Sequence, residues 1–109
     1  MKDNKYKEAI DEYTKAIEQN KLTEVYYCNR AAAYTNIEKF HEALDDCKMA
    51  IAINQDYAKA FSRMGLIYSK LSFFDESVSC YKDAIKLEPD NVGYKKNLDL
   101  VEVKGKRGY

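Results

Sequence analysis

An all-α fold, a solenoid of helix-turn-helix units, is predicted for this chain by three observations. The first is a period: Tyr6, Ala9, Ile10, Tyr13, Ala16 and Ile17 recur 34 positions later as Phe40, Ala43, Leu44, Cys47, Ala50 and Ile51, and again as Phe74, Ser77, Val78, Tyr81, Ala84 and Ile85. The second is that the intervening segments keep the same offset, Tyr27, Ala31 and Tyr34 returning as Phe61, Gly65 and Tyr68. The third is compositional, since 4 glycines and 1 proline in 109 residues are too few turn formers for an all-β chain. A fixed period of this length, with small residues set beside aromatics, marks hairpins that bury their apolar faces on one another.

Apolar residues at i, i+3, i+4 and i+7 predict helices over 4–19, 24–37, 39–53, 57–71, 73–87 and 91–104. The first carries the Tyr6, Ile10, Tyr13, Ile17 stripe and is a B-type helix, the second member of a hairpin. Thr23 and Asp56 stand ahead of the second and fourth helices, both A-type, and are expected to accept hydrogen bonds from free first-turn amides. The third helix repeats the B pattern. Ahead of the fifth, also B-type, Ser72 with Asp75 and Glu76 approximates a capping box. Glu88-Pro89-Asp90-Asn91 ends that helix, with Asp90 expected to start the sixth. There Tyr94, Leu98 and Val101 form one apolar stripe while Lys95, Lys96, Asp99, Glu102 and Lys104 stay polar, the pattern of a terminal capping helix. Leu100 and Val103 lie off that stripe, and Lys104 to Tyr109, with Gly105 and Gly108, read as a frayed end or the start of a linker.

The small residues set the closeness of packing. Gly65 and Ala31 are expected where Ala43, Ala50, Ser77 and Ala84 cross, because a larger side chain would hold the paired backbones apart.

Composition narrows the function. With 18 basic and 18 acidic side chains the net charge is +0, so no global field draws the chain to nucleic acid or anionic lipid. No apolar run approaches the roughly 18 residues of a membrane span, and Met1 to Lys5 is too polar for a signal peptide. Cys28, Cys47 and Cys80 form no CxxC pair and fall inside helical patterns, as expected of a reduced, cytoplasmic protein. Cys47 occupies the slot of Tyr13 and Tyr81 and reads as a small apolar core side chain. The one histidine, His41, has no catalytic or metal-ligating company; Asp45 and Asp46 lack a partner base, and one of them is expected to pair with Arg30. Neither an enzyme nor a cofactor is expected.

These landmarks resemble the tetratricopeptide repeat. The third unit fits its pattern as Phe61, Met64, Gly65, Tyr68, Ser77, Tyr81, Ala84 and Pro89; the second fits as Tyr27, Ala31, Tyr34, Ala43 and Ala50 and departs at Arg30, Cys47 and Gln55. The resemblance implies a right-handed superhelix with A helices on its concave side, and one domain over 1–109. Its parts are a half repeat over 1–21 with the B helix alone, repeats over 22–55 and 56–89, a capping helix over 90–104 and a tail over 105–109. Counting back 34 puts the first A helix before Met1, so the chain is expected to be a fragment. Tyr6, Ala9, Tyr13 and Ala16 would then be uncovered and open to self-association.

The slot six places into an A helix holds Asn29 and then Arg63, with Lys59 one turn before Arg63. Two cations at i, i+4 repel by a few tenths of a kcal/mol on an isolated helix, and an anionic ligand offers a reason for them. A surface pair of Lys59 with Asp56 is the plainer alternative. The runs Tyr26 to Tyr34, Ala58 to Gly65 and Glu88 to Asn91 are similar to the carboxylate-clamp tetratricopeptide domains of co-chaperones, closest to the small glutamine-rich group. That resemblance implies a peptide-binding site of Asn29, Lys59 and Arg63, with Ala32, Ala33 and Leu66 as an apolar floor. It implies as partners the acidic Glu-Glu-Val-Asp tails of heat-shock chaperones of the seventy- and ninety-kilodalton classes. A further lysine and asparagine of that clamp would lie on the missing A helix, leaving it weakened. The alternatives are a scaffold binding an internal peptide or helix, and the targeting module of a larger enzyme such as a phosphatase or prolyl isomerase.

Overall fold

Six α-helices make up this computed structural model, which describes residues 2–107, with side chains from 5 to 106. They are α1 (Lys2–Gln19), α2 (Glu24–Asn36), α3 (Phe40–Ile53), α4 (Ala58–Lys70), α5 (Phe74–Leu87) and α6 (Val92–Arg107). Each coincides with a segment of helical periodicity. Residues 105–107, expected as tail, instead continue the last turn of α6. Gly108 and Tyr109 lie outside the described residues.

Helix ends differ more from expectation. Ser72 does not start α5: its φ is 64°, its N–H donates to the Ser69 carbonyl at 3.0 Å, and the Phe73 N–H reaches back to the Tyr68 carbonyl at 2.8 Å. This is a left-handed residue closing the preceding helix, so its backbone belongs to the exit of α4 rather than to the entry of α5. Glu38, 34 positions earlier, repeats the device with φ 62° and the Lys39 N–H on the Tyr34 carbonyl at 2.9 Å. Phe73 is the residue flanking α5, with no side-chain cap; Asp75 and Glu76 in the first turn still favour the positive end of the helix dipole.

Thr23 does flank α2, in extended conformation, but its side chain makes no capping bond. Asp56 gives its own N–H to the Asn54 side-chain oxygen at 3.0 Å, and Asn20 binds the Leu22 N–H likewise at 3.3 Å. The role expected of Asp90 falls to Asn91, whose Oδ1 accepts the Tyr94 N–H at 3.0 Å.

The chain divides into two compact units, Met1–Tyr57 and Ala58–Tyr109. In the first, α2 packs between α1 and α3. Ala31, Ala43, Cys47 and Ala50 are fully buried, as the small-residue crossing requires. The matching slots Ala9, Tyr13 and Ala16 on α1 are only half-buried. Asn54 Nδ2 donates to Glu24 Oε2 at 3.0 Å, tying the end of α3 to the start of α2 and holding that carboxyl below its usual range.

In the second unit α4 packs on α5, and α6 lies on α5 and touches α4. Gly65, Ser77, Tyr81 and Ala84 are buried at the α4–α5 crossing. The Ser77 hydroxyl donates to the Gly65 carbonyl at 2.6 Å, which satisfies the polar atom that distinguishes this slot from Ala43. Val101 of α6 is buried, so the predicted stripe does face the unit's core.

Candidate functional site

Asn29 is the sixth residue of α2 and Arg63 the sixth of α4, with Lys59 one turn before Arg63. The equal depth follows from the repeat: the start of each A-type helix is set 34 residues apart, so the same turn is presented each time. Asn29 and Arg63 are half-buried and Lys59 is exposed. Among the described residues none of the three side chains makes a hydrogen bond or an ion pair.

Arg63 carries the sharper signal. Its Nε is buried and has no hydrogen-bond partner among the described residues. A buried guanidinium N–H without an acceptor costs free energy, and nothing in the fold engages this guanidinium as Asp46 engages Arg30. Burial raises the Tyr81 phenol above its ordinary pKa, and the nearby Arg63 charge pulls it partly back.

Arg30 shows what an arginine serving the fold looks like. Its Nε donates to Asp46 Oδ2 and its Nη2 to Asp46 Oδ1, each at 2.7 Å, while Nη1 donates to the Thr14 hydroxyl at 3.0 Å. The guanidinium carbon stands 5.8 Å from the ring centroids of both Tyr27 and Tyr34. The hydrogen bonds to Asp46 raise its pKa further, so this charge is fixed and committed. The expected pairing with one of the two aspartates is thus made by Asp46; Asp45 is exposed.

The expected apolar floor is uneven. Ala32 and Leu66 are half-buried on α2 and α4, whereas Ala33 is 5% exposed and has little surface to lend a ligand. An open groove of about 680 Å³ lies elsewhere, between the start of α5 and the end of α6. Asp75, Glu76 and Glu102 outnumber Lys106 along it, which disfavours an acidic peptide. The described residues hold no group of three or more His, Cys, Asp or Glu that could bind a metal ion, and no helix long and apolar enough to cross a membrane. Cys28, Cys47 and Cys80 are buried, and burial pushes the Cys80 thiol up to about 11.

Comparison with known proteins agrees with the fold. The family described as "Psidin, N-terminal TPR repeats region" matches residues 1–106. Among solved structures, the first TPR of Spaghetti (RPAP3) bound to HSP90 peptide SRMEEVD is 37% identical with a TM-score of 0.87, covering 93% of this chain and 80% of that one. The second TPR domain of human RPAP3, in complex with HSP70 peptide SGPTIEEVD, is 33% identical with a TM-score of 0.84, over 91% of this chain and 82% of that one. The Sgt2 TPR domain from Aspergillus fumigatus is 28% identical with a TM-score of 0.90, over 96% and 71%. A curated relative, serine/threonine-protein phosphatase 5 of Solanum lycopersicum, is 54% identical over 39 residues, 36% of this chain; the match spans only 7% of that protein's length. With a repeat family matched over residues 1–106 and solved relatives of high structural similarity, the chain belongs to the tetratricopeptide repeat family, matching the Psidin N-terminal TPR repeats region.

Proposed function

We propose that this chain is a non-catalytic, cytoplasmic co-chaperone module that captures the acidic Glu-Glu-Val-Asp tail of heat-shock chaperones of the seventy- and ninety-kilodalton classes. The observation that carries the reading is Arg63, a buried guanidinium nitrogen with no acceptor, on the same helix as an unengaged Lys59. Relatives covering most of their own length with this chain are solved with peptides ending in that motif. A terminal aspartate brings two carboxylates on one residue and needs several donors. Arg63 is assigned the forked contact, Lys59 the compact charge and Asn29 a neutral donor to the main-chain carboxylate. Ala32 and Leu66 are assigned the apolar contact with the valine, with Ala33 a minor part of it.

Charge-assisted hydrogen bonds contribute about 1.5–3 kcal/mol each, so Arg63→Ala should weaken binding of a labelled acidic peptide by at least about tenfold. Lys59→Ala should lower both affinity and its dependence on salt. Unchanged affinity in Arg63→Ala, with the helical circular dichroism signal retained, would rule the site out. A second reading is favoured by the phosphatase 5 match. In it the same tail-binding module serves to target an enzyme, and catalytic sequence in the same gene would establish that.

A further inference from the structure

The period that aligns Asn29 with Arg63 reaches one helix further, to Asn97, the sixth residue of α6. The apolar stripe of α6 gives no reason to single it out; only the register does. That register is pinned at its start by the bond from the Tyr94 N–H to Asn91 Oδ1, which fixes where the first turn begins. By its packing α6 is an A-type helix: it lies on α5 as α2 lies on α1, and it touches α4 in the same unit.

Along the flank of α6 equivalent to the Lys59, Arg63, Leu66 row of α4 stand Gly93, Asn97 and Leu100. The substitutions change the chemistry in one direction. Gly93 removes the cation at the Lys59 slot, and Asn97 puts a neutral amide where α4 has a guanidinium. Leu100 keeps the apolar character of Leu66 but is 60% exposed. Asn97 is exposed and makes no hydrogen bond among the described residues. A carboxamide offers one acceptor and two donors, which matches the alternating C=O and N–H of an extended peptide.

Resting on the tail-capture reading above, we propose that Asn97 and Leu100 form a further station of the peptide site. Asn97 hydrogen-bonds the ligand's main chain upstream of its acidic end, and Leu100 covers an apolar side chain in that upstream segment.

The test compares two peptides with free C-termini, Glu-Glu-Val-Asp alone and a ten-residue peptide with an apolar residue ahead of the same ending. A neutral hydrogen bond contributes about 0.5–1.5 kcal/mol, so Asn97→Ala should weaken the long peptide about three- to tenfold and leave the tetrapeptide unchanged. Leu100→Ser should act the same way, and its effect should vanish when the upstream apolar residue is glycine. In the unsubstituted protein, the Asn97 side-chain amide resonances should move on adding the long peptide and stay in place with the short one. Equal effects on both peptides, or none on either with the Asn97 resonances unmoved, would overturn the station while Arg63→Ala still weakened both. Loss of the Arg63→Ala effect would instead overturn the tail-capture reading itself.

Discussion

Gly65 meets the Tyr81 ring so closely that a Cβ built on it would lie 2.8 Å from Cε2 and 2.9 Å from Cδ2 and Cζ. Tyr81 is 2% exposed and has nowhere to retreat. Alanine normally gains about 0.5–1 kcal/mol over glycine inside a helix, but here overpacking of about 1–3 kcal/mol wins. Gly65→Ala should therefore lower the melting temperature by several degrees, and an unchanged or higher value would contradict the packing. Arg30 and Asp46, with side chains 18% and 8% exposed, give a second test. Asp46→Ala strands a partly buried cation and should cost about 3 kcal/mol in a denaturant titration, far more than Asp45→Ala at the exposed neighbour. That Arg30 needs a carboxylate is legible from a long basic side chain at a core slot. Which aspartate answers is a matter of roughly 100° around α3, resolved only by the packed helix. The buried nitrogen of Arg63 was illegible for the same reason: sequence places a residue on a face but does not say what its polar atoms meet.

Helices, by contrast, were readable nearly whole from periodicity, while their ends were not. Ser72 fits a capping box in sequence, yet the residues that open a helix also serve to close one, and short links leave both roles to a single position. The left-handed backbone at Ser72 and Glu38 carries a steric cost that glycine avoids. Ser72→Gly should consequently raise stability by about 0.5 kcal/mol after glycine's own entropy is counted, seen as a small rise in denaturation midpoint. A loss of about that size would restore the capping role. Repeat symmetry could have warned of this, because the equivalent position, Glu38, is not a capping residue at all.

Across the whole molecule, stability should fall in alkali. The Cys80 thiol is raised by burial from 9.0 to about 11, so the folded chain holds its proton where the unfolded chain has lost it. That contribution is complete below about pH 9 and disappears as pH rises to about 11, a loss on the order of 2 kcal/mol. Cys80→Ala should flatten that part of the pH profile; an unaltered slope would contradict it. The raised Tyr81 phenol adds a fall of the same sign. At this scale the period of 34 carried the reading furthest, since it gave the hairpins, the buried small residues and the slots of Asn29 and Arg63. It did not give how much surface each slot keeps, which is why Ala33 was expected in the floor and is largely covered. A free chain terminus is what the Lys59, Arg63 and Asn29 side chains are proposed to recognise. Calorimetric titration with one acidic peptide as its free acid and as its C-terminal amide tests this most directly. The free acid should bind at least about tenfold more tightly, by a margin that shrinks with added salt; equal affinity for the two would mean that no chain terminus is read.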